Sequence, residues 1–232
     1  MANLVQRVLD PDRVAVIFFD MDHTLIQNDC DVSWKAYLYE KGQVGVLDWL
    51  ESKWHFMRYR KGKLNRQRFF RYQLRQFRGK TPAQMATWLR DHYELKVKLT
   101  IYAEAKQVLL EARELGLPRV LLTATNREIA APLAEDLAMD ELVATELAQE
   151  QGRYSGGIVE PPCIGEHKVA YMRRYMESRG ETLEHCSYWG DSVSDIPALE
   201  QVGFPVACNP ADFLRATAQK RGWPVLDFAS VD

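Results

Sequence analysis

Hydrophobic positions along the chain fall into two patterns: short unbroken apolar runs, and stretches where apolar residues recur at helical spacing. The clearest run is Val-Ala-Val-Ile-Phe-Phe at 14–19. Its β-branched and aromatic members, with no polar residue alternating between them, predict a strand buried on both faces, as in a parallel sheet. Runs at 119–123, at 187–189 leading into Gly190 and Asp191, at 205–208 and at 224–228 predict further strands. Between them, 101–115 carries Ala105, Val108, Leu109 and Ala112 at helical spacing and stops at Gly116, a good helix terminator. Residues 168–178 and 195–202 also read as helices. Strand alternating with helix predicts an α/β fold, a Rossmann-like doubly wound parallel sheet.

The stretch 32–98 breaks this rhythm. It lacks good strands and predicts helices at 33–41, 44–60, 65–77 and 82–93. The expected organisation is therefore an α/β core built from 1–31 and 99–232, with an all-helical segment, 32–98, inserted after the first strand. Gln-Gly-Arg-Tyr-Ser-Gly-Gly at 151–157 predicts a hairpin with glycine turns.

Composition narrows the class without naming a function. The chain has 232 residues, of which 47% are hydrophobic and 27% charged, enough for one large domain or a core with a smaller insert. A net charge of −2 does not advertise a membrane or nucleic-acid partner for the chain as a whole. Cys30, Cys163, Cys186 and Cys208 form no C-x-x-C pair, so free thiols in a reducing compartment are expected. Residues 1–10 lack the apolar stretch of a signal peptide, and the run at 14–19 is too short to span a bilayer. A soluble cytoplasmic protein with no membrane span is the expectation.

Candidate chemistry lies where the predicted strands end. In open parallel sheets, ligands bind at the carboxyl ends of the strands, and Asp20, Thr123 and Asp191 each stand at such an end. Asp20 and Asp22 flank Met21. Two carboxylates this close repel unless a cation or substrate uses them, and Mg²⁺ takes oxygen ligands of this kind. One carboxylate can attack phosphorus and the other can shuttle protons; a solvated turn explains the pair alone equally well. Gly190-Asp191-Ser192-Val193-Ser194-Asp195 adds two further carboxylates. Thr123-Ala124-Thr125-Asn126 offers hydroxyls and amides ahead of a helix, a seat for phosphate or an ordinary helix cap. Lys168 supplies a cation where phosphate and carboxylates would meet.

Taken in order, Asp20-Met-Asp22-His-Thr24, Thr123, Lys168 and Gly190-Asp191-Ser-Val-Ser-Asp195 resemble the four motifs of the haloacid dehalogenase superfamily, over nearly the whole chain. The resemblance implies a phosphatase: Asp20 as nucleophile and metal ligand, Asp22 as acid/base with its backbone carbonyl on Mg²⁺, and Asp191 as a metal ligand. It also implies that Thr123, Ala124 and Lys168 bind the phosphoryl group, and that Asp195 and Ser192 support the metal shell or Lys168. The helical insert resembles the C1-type cap of phosphoserine phosphatase-like members, and the C-terminal third resembles subfamily IB, which includes phosphoserine and histidinol-phosphate phosphatases. The family's amine-binding Glu corresponds to Asp29, and its carboxylate-binding Arg falls near Gln73, with Arg71 and Arg75 alongside. Asp29, Arg71, Arg75 and Asn126 are thus the candidates for substrate selection. The implied substrate is a small phosphorylated metabolite and the implied cofactor Mg²⁺; a phosphotransferase or mutase is the alternative on the same fold.

The insert is basic. No Asp or Glu occurs from Ser52 to Arg90, while twelve Lys and Arg do. Arg68, Arg71, Arg75 and Arg78 share one face of a predicted helix, with Phe70, Leu74 and Phe77 opposite. Such a stripe is either a solvated surface or an attractor of anions. It motivates a third reading, an anion- or nucleic-acid-binding module, although nucleic acid is not the expected partner. Cys30 and His23, beside the motif acids, receive no assigned role.

Overall fold

The computed structural model describes residues 8–48, 50–51, 54, 70 and 72–231. Its centre is a six-stranded sheet of β1 (Val16–Phe19), β2 (Arg119–Asn126), β3 (Glu141–Thr145), β6 (Cys186–Gly190), β7 (Phe204–Cys208) and β8 (Val225–Leu226). The strand order is β3-β2-β1-β6-β7-β8 and every pairing is parallel. β4 (Leu147–Glu150) and β5 (Arg153–Ile158) form a separate antiparallel hairpin turning at Gln151 and Gly152, where the sequence places one.

The unbroken apolar run of β1 is explained by burial on both faces. Ile17 and Phe19 enter one core cluster and Val16 and Phe18 the other, all fully buried. The first cluster is closed by α3 (Ala103–Glu114) and α4 (Arg127–Asp136), the second by α5 (Glu166–Glu177), α6 (Ile196–Leu199) and α7 (Asp212–Arg221). Helices thus cover both sides of the sheet. The order reverses between β1 and β6, so the crevice for a ligand opens at their carboxyl ends.

Between β1 and β2 lie α1 (Cys30–Glu40), α2 (Pro82–His92), a π-helical turn (Tyr93–Val97) and a 3-10 turn (Lys98–Thr100). Trp34, Tyr37, Leu38, Leu74, Phe77, Met85 and Leu89 give these helices a core continuous with the first cluster. The chain leaves and re-enters the sheet region side by side: Gln27 N–H donates to Thr100 O (2.7 Å), Tyr102 N–H to Leu25 O (3.1 Å), and Ile26 bridges Ile101.

Several boundaries differ from expectation. β2 continues three residues past Thr123 to Asn126, because the ladder with β3 shifts register between Thr123 and Asn126. The helix expected to run through 77 stops earlier: Leu74–Gly79 is a turn, although Leu74 and Phe77 are buried as the pattern requires. Most of the expected 44–60 helix, with Arg68 and Arg71, lies outside the described residues. Among the described residues, no helix is long and apolar enough to cross a membrane.

Candidate active site

β1 delivers Asp20 immediately past its last residue, and Asp20 N–H donates to Trp189 O across the crevice (2.9 Å). β6 ends at Gly190 and delivers Asp191. Gly190 is needed for close approach rather than for a turn. A Cβ there would stand 2.7 Å from Asp195 Cβ and Cγ, well inside contact distance. Asp195 is thereby brought against the sheet edge. α5 supplies Lys168 in its first turn, buried among these acids.

Lys168 has three N–H donors and each has an acceptor: Asp20 Oδ1 at 2.6 Å, Asp195 Oδ1 at 2.7 Å and Tyr188 Oη at 2.9 Å. Burial alone would discharge this lysine; Asp195 and Asp20 outweigh it and raise its pKa well above the ordinary value. Asp195 is saturated. Its Oδ1 takes Lys168 and the Tyr188 hydroxyl (2.6 Å), and its Oδ2 takes Ser192 N–H (3.0 Å) and Ser192 Oγ (2.9 Å). Burial opposes its charge, but Lys168 and these bonds pull its pKa down.

The other acids are less comfortable. Burial raises Asp20 to about 6 despite Lys168. Burial, then Asp195 and Asp20, raises Asp191 to about 9. Among the described residues, no hydrogen-bond donor reaches the Asp191 carboxylate. Oxygens of Asp20, Asp191 and Asp195 lie within 4.8 Å of one another. Among the described residues, four carboxylates, counting Asp22, thus face one ammonium, and this cluster is short of positive charge. Hard oxygen donors in such a set fit a divalent cation such as Mg²⁺, with Asp20 and Asp191 open to it and Asp195 occupied by its own donors.

Asp22 sits beside the group, its pKa pushed well up by burial and then by Asp29 and Asp20. Its Oδ1 accepts Cys30 N–H (3.0 Å) and its Oδ2 accepts the Thr125 hydroxyl (2.7 Å). Thr123 is buried in β2, and its Oγ1 accepts Thr125 N–H at 3.1 Å. Ala124 adjoins it, its carbonyl held by Thr145 Oγ1 (2.8 Å).

A family model described as haloacid dehalogenase-like hydrolase matches residues 17–200. The chain belongs to this family. A histidinol-phosphatase of Neisseria meningitidis is 29% identical over 90% of this chain and 97% of that protein. A crystal structure of a Bordetella pertussis protein of unknown function superposes with a TM-score of 0.84 at 30% identity, covering 91% of this chain and 97% of that one. A substrate-bound phosphoserine phosphatase superposes at 0.68 with 17% identity, covering 92% of each chain, a likeness of fold. This haloacid dehalogenase-like chain is a hydrolase of phosphatase type.

The substrate-selecting candidates are placed unevenly. Asp29 is the N-cap of α1, accepting Val32 N–H (3.0 Å). Asn126 is the N-cap of α4, accepting Ile129 N–H (3.1 Å). Arg75 pairs with Asp48 at 2.7 Å and Glu51 at 4.0 Å and lies over the Tyr72 ring, so the basic stripe is partly neutralised by acids preceding it. Arg71 is outside the described residues. His23 is exposed and takes a left-handed backbone conformation, φ 58°, its carbonyl accepting from Asn209 (2.9 Å). Cys30 is fully buried, and burial with Asp22 beside it drives its thiol pKa well up, so it is not a nucleophile.

Two site residues escaped the sequence. Tyr188 stands in an apolar strand run and looks like core until Lys168 and Asp195 are brought to its hydroxyl. Thr125 lies in the expected phosphate seat, but its bond to Asp22 joins residues 103 apart in sequence.

Proposed function

We propose that the chain is a Mg²⁺-dependent phosphomonoester phosphatase acting on a small phosphorylated metabolite through an aspartyl phosphate on Asp20. The observation that carries this reading is the cation-deficient cluster at the β1/β6 crevice. Asp20 and Asp191 are raised towards their neutral forms, and among the described residues Lys168 alone opposes four acids. Asp20, Asp191 and the Asp22 backbone carbonyl would hold Mg²⁺, which when bound shields the phosphoryl oxygens from these carboxylates.

The chain's own residues divide the rest of the work. Asp20 attacks phosphorus, and Lys168 and Thr123 receive the phosphoryl oxygens. Asp22 gives its proton to the departing oxygen, then takes one from the water that cleaves the aspartyl phosphate, which restores both acids. Asp195 and Ser192 hold Lys168 in place. We assign 1–31 and 99–232 to the catalytic core and 32–98 to a helical cap; the side-by-side connections at Gln27–Thr100 and Leu25–Tyr102 support that division. Asp29, close enough to raise the Asp22 pKa, favours a substrate bearing a cationic group. The four free, buried cysteines fit a cytoplasmic enzyme.

The test is hydrolysis of p-nitrophenyl phosphate and of a panel including histidinol phosphate, phosphoserine and phosphocholine, with Mg²⁺ and with chelator. Chelation should abolish turnover, and Asp20→Asn should be inactive. Turnover that survives both would overturn the reading, and phosphoryl transfer to added alcohols instead of water would make the enzyme a phosphotransferase.

A further inference from the structure

Asp22 has to present its proton to the leaving oxygen in one half of the cycle and to water in the other, so its carboxylate needs a fixed direction. Two bonds fix it. The Cys30 amide at the start of α1 holds Oδ1, and the Thr125 hydroxyl holds Oδ2 at 2.7 Å. The Thr125 side chain is buried, and its hydroxyl donates to Asp22 Oδ2, which leaves the other lone-pair sites of that carboxyl group for the proton it transfers. The bulged end of β2 makes this geometry. The register shift after Thr123 turns Thr125 out of the ladder, and the Thr125 amide bonds back to Thr123 Oγ1. One short segment therefore carries the phosphate seat at Thr123 and an anchor for the acid at Thr125.

We propose that Thr125 is a positioning residue for proton transfer: it aims Asp22 at the leaving oxygen while Thr123, two residues earlier, receives the phosphoryl group. The inference rests on the phosphatase reading above. In the step concerned, an Asp20 oxygen forms a bond to phosphorus, the phosphorus–leaving-oxygen bond breaks, and the Asp22 proton moves to that oxygen. The two bonded donors occupy about two of the four lone-pair sites of the Asp22 carboxylate and leave the others for this proton. Without the Thr125 hydroxyl, the Cys30 amide is the one donor left on the Asp22 carboxylate among the described residues, and the carboxylate can swing about it.

The role predicts a dependence on the leaving group. p-Nitrophenolate departs without much help from an acid, whereas an alkoxide needs the proton. The measurement is kcat/KM for p-nitrophenyl phosphate and for an alkyl phosphate such as glycerol phosphate, with wild type, Thr125→Val, Thr125→Ser and Asp22→Asn. Thr125→Val should lose about 10- to 100-fold on the alkyl phosphate and less than about 3-fold on p-nitrophenyl phosphate, since a whole general acid contributes 10²–10⁴. Thr125→Ser, which keeps the hydroxyl, should return to within a few-fold of wild type, and Asp22→Asn should show the same selectivity, more steeply. If Thr125→Val fails to fold, Thr125→Ala is read in the same ratio. Equal losses on both substrates, no loss on the alkyl phosphate, or failure of serine to rescue would overturn the proposal. Full activity in Asp20→Asn would instead overturn the underlying phosphatase reading.

Discussion

Replacing Tyr188 with Phe removes one oxygen atom from the centre of the site and leaves the ring in place. The ring is fully buried in β6, so the cost of an empty space is small. What is lost is a bond donated to Asp195 at 2.6 Å and a bond accepted from Lys168 at 2.9 Å. Hydrogen bonds to charged groups contribute about 1.5–3 kcal/mol each, and a buried donor left unmatched costs about 1–3 kcal/mol. The two losses overlap on one Lys168–Asp195 pair, so the expected destabilisation is about 2–3 kcal/mol. For a chain of this size each kcal/mol moves Tm by about 2–4 °C, giving a fall of about 5–10 °C. Lys168 also loses one of its three fixed contacts, and its placement against the phosphoryl group should loosen, with kcat about tenfold lower (~1.4 kcal/mol). Circular dichroism melts and steady-state hydrolysis of p-nitrophenyl phosphate read both effects. A variant that melts within about 1 °C of wild type and turns over equally fast would show that the hydroxyl plays no part in holding Lys168.

Two pH predictions follow from buried groups of opposite sign. Burial raises Asp20 from 3.8 to about 6 and Asp191 from 3.8 to about 9, so the native metal-free state holds protons that the unfolded chain releases. Their stabilising contribution is present below the unfolded pKa and is lost as pH rises through 6 and then 9. Mg²⁺ competes with those protons, so the rise in Tm on adding Mg²⁺ should grow from pH 5 to pH 9; a constant or shrinking rise would contradict the assignment of these acids as ligands. His92 is buried between Trp34 and Tyr37 with its Nε2 3.0 Å from Ser33 Oγ, and burial followed by Lys96 lowers its pKa from 6.5 to about 4. Here the unfolded chain takes up the proton first, so stability falls as pH drops from 6.5 to 4, by at most about 1.4 kcal/mol per pH unit. Urea unfolding of His92→Gln should show a smaller loss between pH 7 and pH 4.5 than wild type; an equal loss would place the acid sensitivity elsewhere.

The central strands are legible in the sequence because burial on both faces leaves β1, β2 and β6 with no polar alternation to confuse them. The acids at their ends are legible as a set: the Asp20–Asp22 pair alone reads equally well as a solvated turn, and Thr123, Lys168 and Asp191 at further strand ends and a helix start decide between the two. The edge strand β3 escapes detection: its five residues open with an exposed Glu141 and are half-covered at Val143. α4 is obscured by Pro132 within it. Hydroxyls are the harder loss. Thr125 and Tyr188 have side chains that suit a strand on their own account, and only tertiary contacts with Asp22, Lys168 and Asp195 give them a second role. Lys35 is similar. It stands on α1 as a residue type that is usually solvated, yet is buried, donating to the Gln73 carbonyl (3.0 Å) and the Gln76 amide oxygen, and burial lowers its pKa to about 7. The spacing of apolar positions tells which face of a helix is covered, and says nothing of a polar group that finds its partners inside.

The most direct test of the account is the chemical state of Asp20 during turnover. Wild-type enzyme mixed with Mg²⁺ and substrate, quenched in acid and digested, should yield one phosphorylated peptide, the one containing Asp20. Its phosphate should be released by hydroxylamine, as an acyl phosphate requires, and should be absent from Asp20→Asn. Phosphate on any other residue, or undiminished hydrolysis by Asp20→Asn, would contradict it.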